Sequence, residues 1–198
     1  MSPDDDKARV RSEARAARRA AFKAIGAASA SAIAEHAMQS LGSVNGLVVA
    51  GYRASNSEVD VGLLMTALAD AGATLALPVV TGANQPLIFR TWCDGDELVE
   101  GAYGIDEPCV GSLEVRPDIV LVPLLAFDAG GHRLGQGGGF YDRTLDQLRT
   151  QGNVTAVGIG FASQELDAIP HADHDQCLDA VVTEDAMIRF ESINGGKT

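Results

Sequence analysis

Cationic residues are scarce in this chain of 198 residues: 15 Lys+Arg stand against 27 Asp+Glu, a net charge of −12. The scarcity is uneven. Residues 1–30 hold seven basic and four acidic residues, a balance of +3, which leaves −15 on the rest. Affinity for nucleic acid or for an anionic membrane rests on cationic surface, so neither is expected as a partner. Any polyanion bound here must be gripped by a few placed cations. Cysteine is sparse too. Cys93, Cys109 and Cys177 are an odd number, widely spaced and without a C-x-x-C pair. They offer neither a disulfide framework nor a structural zinc site and fit a reducing cytoplasm. Long apolar runs are missing: no stretch approaches the roughly 20 residues of a membrane span. The opening MSPDDDKARVRSEAR has no apolar segment and carries three aspartates, so neither a secretory nor a mitochondrial leader is expected.

What remains is ordinary for a globular protein, 46% hydrophobic with 22 Gly and 7 Pro, and the length suits one domain over residues 1–198. Residues 7–41 are rich in Ala, Arg, Lys, Glu and Met with no proline, which predicts a helix ended by Gly42. At about 100° per residue, Val10, Ala14, Ala17 and Ala21 share one shallow stripe suited to close packing, and Lys7, Arg11 and Arg18 share a neighbouring one. After Gly42 short apolar runs alternate with turns. Residues 46–52, 73–80, 87–92, 118–127, 156–161 and 180–183 read as strands; 61–69 and 140–149 read as helices. Near-continuous apolar strands alternating with helices predict a parallel or mixed sheet covered on both faces in one α/β domain; the form expected is a three-layer, Rossmann-like domain with a mostly parallel sheet and the N-terminal helix packed on it.

The strongest local signal is GGHRLGQGGGFYD at 130–142, between a buried strand and a helix. It holds six glycines in ten residues, 130–139. Such a run is costly in chain entropy. One reason for it is a loop whose backbone N–H groups wrap an anion at the start of the next helix; the other is a plain surface turn. Neither common phosphate signature fits, since Phe140 and Tyr141 follow Gly139 where a P-loop needs Lys-Ser/Thr, and a dinucleotide motif begun at Gly135 would need glycine at 140. Arg133 supplies a fork suited to phosphate or carboxylate. Tyr141 could stack on a flat ring or pack in the core. Asp142 suits a magnesium tether beside phosphates, and it equally suits the helix dipole.

LVPLLAFDAGGHRLGQGGGFYDRTL at 121–145 resembles the signature of the 5-formyltetrahydrofolate cyclo-ligase (5,10-methenyltetrahydrofolate synthetase) family. The likeness extends over Lys7, Arg11 and Arg18; Tyr52 with Glu58-Val59-Asp60; Leu77-Pro78-Val79-Val80; and Tyr103-Gly104-Ile105 with Glu107-Pro108. It continues through Gln164, Ile169-Pro170, His174-Asp175 and the run from Leu178 to Glu184. Gln136, where the family commonly has Tyr, Phe or Arg, and Phe140, in place of the first tyrosine of a pair, are departures.

The resemblance implies an enzyme, a C–N bond-forming ligase. It would take small molecules only, converting 5-formyltetrahydrofolate to 5,10-methenyltetrahydrofolate with ATP and Mg2+ and releasing ADP and phosphate, as a monomer. It implies ATP contacts at Lys7, Arg11, Arg18, Arg133, Leu134, Gly135, Gln136, Gly137, Gly138, Gly139, Phe140 and Tyr141. Folate contacts would fall at Ser55, Glu58, Asp60, Gln136 and Tyr141, metal carboxylates at Asp142 and Asp175, and catalytic roles at Arg133, Tyr141 and Asp142. Asp60 is as well suited to cap the following helix. His171, His174 and Asp175 make only a weak case for a transition metal. The alternatives are a non-catalytic folate- or nucleotide-binding module on the same scaffold, or a phosphosugar- or CoA-handling enzyme on a similar sheet.

Overall fold

A computed structural model describes residues 3–190, with side chains from residue 7. The opening MSPDDD lies outside the described side chains. In chain order the elements are α1 (Pro3–Ser40), β1 (Val48–Ala50), α2 (Gly62–Asp70), β2 (Thr74–Val80), β3 (Leu87–Thr91), β4 (Leu98–Glu100), β5 (Asp106–Pro108) and β6 (Glu114–Val115). Then come β7 (Ile119–Pro123), β8 (Ala126–Phe127), β9 (Arg133–Leu134), α3 (Phe140–Gln151), β10 (Thr155–Ile159), β11 (Ala180–Val182) and β12 (Met187–Arg189). The main sheet runs β12-β11-β10-β7-β1-β2-β3-β6. Its five strands from β11 to β2 are parallel; β12 and β3 run against them, and β6, antiparallel to β3, runs with them.

Helices cover both faces, as the apolar strands require. In β7 Leu121 packs with Leu64 and Leu68 of α2 and Ile33 and Ala37 of α1. Its neighbours Val120 and Val122 pack on the opposite face with Leu145 and Leu148 of α3. This alternation is the period-2 geometry of a strand buried on both sides. The chain leaves β1 through α2 toward β2 and leaves β7 through α3 toward β10, so strand order reverses between the adjacent β1 and β7. Ligands of open α/β sheets bind outside the strand ends at such a switch point.

Three expectations change. The strand expected over 118–127 ends at Pro123, because the next carbonyls turn to side-chain donors: Gln164 Nε2 donates to Leu124 O and Leu125 O at 3.0 and 2.9 Å. The expected glycine loop is two structures. β8 and β9 pair antiparallel around a turn pinned by buried Asp128, whose Oδ1 accepts from the N–H of Gly130 and of His132 at 2.9 and 3.0 Å. Only Gly135–Gly139 then remains as an open loop. The apolar stripe of α1 also shifts: Val10 and Ala14 pack on Leu125, Ala126 and Leu134, whereas Ala17 is exposed and Arg18 takes the buried place.

Candidate active site

Packing α1 on the β8–β9 hairpin sets its cations across the glycine loop. Arg11 Nε donates to Gly135 O at 3.2 Å. Arg15 Nε donates to Gln136 Oε1 at 3.0 Å, so the unusual Gln136 has a partner on α1. Gly137 has φ +104° and Gly139 φ +64°, left-handed conformations that side chains resist. They turn the loop into α3, whose first turn carries Asp142 and whose N-terminus has no side-chain cap.

These elements enclose one side of a cavity of about 1060 Å³ at the switch point. On the loop side, both Nη atoms of Arg133 donate to Asp142 Oδ1 at 2.9 Å, and the Gln176 N–H reaches the same oxygen at 3.1 Å. Lys7 Nζ donates to Asp175 Oδ2 at 2.8 Å, which also accepts the Ala172 N–H at 2.9 Å. Burial pushes the Asp175 carboxyl up, but the Lys7 hydrogen bond and charge and the Ala172 N–H outweigh it and hold it below its ordinary value. Tyr103, at φ +64°, meets Phe140 edge-on, and both line the cavity.

The other side follows β1. Glu58 Oε2 accepts from Ser55 N–H at 2.9 Å and Ser55 Oγ at 3.2 Å. Tyr141 lies near enough that burial first, then the Glu58 charge, push its phenol well above the ordinary range against Arg133. It therefore stays a neutral hydroxyl. Arg18 is buried and donates to Ser57 Oγ, Glu58 Oε1 and Leu124 O. Apart from Asp60, every residue expected at the site lines this cavity. Asp60 accepts the Gly62 N–H from one residue before the N-cap of α2, which is Val61 and carries no side-chain cap, and it lines a smaller side cavity with Trp92, so it neither lines the main cavity nor caps the helix.

Residue reasoning missed Arg15 and Arg143. Arg15 follows Arg11 by one helical turn, a spacing that signals the same face. Arg143 donates to Gly138 O at 2.8 Å and lies 5.3 Å from the Phe140 ring centroid. Its position next to Asp142 carried no separate signal.

The donor set suits Mg2+, a hard cation that takes one or two carboxylates with phosphate oxygens and water. From the described residues, all hydrogen bonds to the Asp142 carboxylate fall on Oδ1, leaving Oδ2 to a ligand. Among those residues no three His, Cys, Asp or Glu side chains converge on one point, so the His171–Asp175 run forms no closed transition-metal set. No helix among them is long and apolar enough to cross a membrane.

The profile of the 5-formyltetrahydrofolate cyclo-ligase family matches residues 3–184. The 5-formyltetrahydrofolate cyclo-ligase of Escherichia coli K12 is 36% identical over 142 residues, covering 68% of this chain and 76% of that one. The Mycolicibacterium smegmatis protein of the same name is 35% identical over 148 residues, covering 71% and 75%. The solved 5,10-methenyltetrahydrofolate synthetase of Aquifex aeolicus superposes with a TM-score of 0.76 at 26% identity, over 97% of this chain and 95% of that one. A family profile that spans residues 3–184, named relatives more than a third identical and a matching fold make it a ligase, and the chain belongs to the 5-formyltetrahydrofolate cyclo-ligase family.

Proposed function

We propose that this enzyme converts 5-formyltetrahydrofolate and ATP to 5,10-methenyltetrahydrofolate, ADP and phosphate. The observation that carries the proposal is a single cavity with two unlike walls. One wall has a glycine loop, cations and two carboxylates; the other has Glu58 on an apolar floor that includes Tyr52 and Leu124. At about 1060 Å³ it is at the large end of small-molecule pockets, which run to ~1,000 Å³, and in this reading both substrates meet in it.

The chemistry explains why both are needed. A formamide oxygen is a poor leaving group. It attacks the γ-phosphorus of ATP, the bond to ADP breaks, and the formyl oxygen becomes a phosphate ester. The N10 lone pair then attacks the formyl carbon, the C–O bond breaks with departure of phosphate, and N10 loses its proton. The protein's share is positioning and charge stabilisation. Lys7, Arg11 and Arg133 would face the phosphates beside the Gly135–Gly139 backbone. Ser55 would help fix Glu58, which accepts hydrogen bonds from pterin N–H groups. Phe140, Tyr141 and Leu134 would close the space between the substrates and exclude water. Asp142 and Asp175 would hold Mg2+, which offsets phosphate charge when bound.

The form proposed for the enzyme is a monomer. A cytoplasmic setting fits three cysteines that are all free. The test is near-ultraviolet absorbance of the conjugated methenyl product, with folate and enzyme and with or without ATP and Mg2+. Product should form only when both are present. Binding of both ligands without product would instead identify a non-catalytic module.

A further inference from the structure

Arg18 shares a stripe of α1 with Lys7 and Arg11, yet its surroundings are different. It is 4% exposed, and burial works against its charge despite the Glu58 partner. Its Nε donates to Ser57 Oγ at 3.2 Å. One Nη donates to Glu58 Oε1 at 3.4 Å and to Leu124 O at 3.2 Å. All three acceptors belong to the segments that follow β1 and β7. None belongs to the glycine loop. Seven residues of helix separate Arg18 from Arg11, a rise of about 10 Å, so one rigid rod reaches the phosphate wall at one end and the folate wall at the other.

Glu58 is thus held at both oxygens, Oε2 by Ser55 and Oε1 by Arg18. Its side chain is 11% exposed, and its charge acts on the buried Tyr52 hydroxyl and on Tyr141. A carboxylate so placed without its Arg18 partner would rotate toward water. Turned away, it would no longer offer its oxygens where pterin N–H groups need an acceptor. We infer that Arg18 is a positioning residue that holds Glu58 aimed at the folate, and is not a phosphate contact. The inference rests on the function proposed above.

Calorimetric titration tests it with 5-formyltetrahydrofolate and ATP–Mg2+ run separately. The proteins are wild type, Arg18→Gln, Arg18→Lys, Glu58→Gln and the double variant Arg18→Gln/Glu58→Gln. Arg18→Gln should weaken folate binding by about tenfold or more, as loss of a charged hydrogen bond does, and leave ATP binding within about twofold. Arg18→Lys should recover part of the loss. The double variant should bind folate no worse than Glu58→Gln alone, since a positioning residue has nothing left to position. Should Arg18→Gln fail to fold, the same contrast is read in Arg18→Lys. ATP weakened as much as folate, or losses that add in the double variant, would overturn the assignment. Wild type that binds no folate would overturn the proposed function itself, a different result from wild type that binds folate with the wrong variant pattern.

Discussion

On the wall that follows β1, Glu58 receives hydrogen bonds at both oxygens from Arg18 and Ser55, with Arg18 buried. On the glycine-loop wall, Arg133 is paired with Asp142 and Lys7 with Asp175. The first arrangement can receive a neutral pterin ring without breaking any contact. The second has cations and carboxylates neutralising one another, and the residues proposed for phosphate and for Mg2+ are partners of each other. A bound ATP–Mg2+ would replace the Lys7–Asp175 pair, phosphate taking the cation and Mg2+ the carboxylate, while Asp142 would offer Mg2+ the Oδ2 that Arg133 leaves open. One wall would receive its ligand as it stands, and the other would exchange at least one pair. An exchange of ion pairs keeps each buried charge matched throughout, which avoids the penalty of an uncompensated one.

The sharpest way to break this contrast is Asp142→Asn. The amide keeps an oxygen acceptor for Arg133 but loses the charge. Turnover should fall by about 10²–10³-fold, as when one electrostatic contact to a developing charge is removed. Melting temperature should fall too, because Arg133, 5% exposed at its side chain, is left beside a neutral partner. Steady-state rates across a Mg2+ series and a thermal melt measure both. Near-normal turnover at low Mg2+ would remove the metal from this wall.

Gly137→Ala is expected to be milder. At φ +104° an alanine is strained by ~1 kcal/mol or more, and its Cβ would lie 3.5 Å from Arg11 Cζ. ATP–Mg2+ affinity should weaken by about tenfold with folate affinity unchanged. Calorimetry reads the difference. Equal weakening of both ligands would mean that the loop sets the whole cavity, and the contrast between walls would fail.

The inner strands and the three helices were legible because fully buried strands must be apolar and amphipathic helices periodic. The β4–β5 and β8–β9 hairpins were not. β4 and β5 are short and contain Glu100, Asp106 and Glu107; β9 is Arg133 and Leu134, hidden inside the glycine run. The lining of the candidate site was legible where its residues are contiguous, as from Arg133 to Asp142. The separation of Arg18 from Lys7 and Arg11 was not. A helical stripe fixes the direction in which side chains point but not what the body presents at each height along the rod. Arg18 and Glu58 lie 40 residues apart, and only the fold brings them together.

The smallest effect expected is on acid stability, and it sharpens the description of the loop wall. In the folded chain the Asp175 carboxyl lies below its ordinary value, held there by Lys7 and the Ala172 N–H against burial. A depressed folded value means that the unfolded chain binds more protons as pH falls through the carboxylate range. The pair therefore contributes stability above about pH 3.9, the ordinary Asp value, and that contribution is lost as pH falls through the lower folded value. Lys7→Gln removes the ammonium that outweighs burial, so the shift should shrink or reverse. Urea unfolding in Mg2+-free buffer, followed from about pH 6 down to pH 3, should show a shallower acid-side slope for Lys7→Gln than for wild type. The difference should be well under 1 kcal/mol, because the pair is partly solvated and screened. Added salt should shrink it further in the wild type. Identical slopes in the two proteins would mean that Lys7 does not hold Asp175 in solution, and the loop wall would then face its ligands with its cation already free.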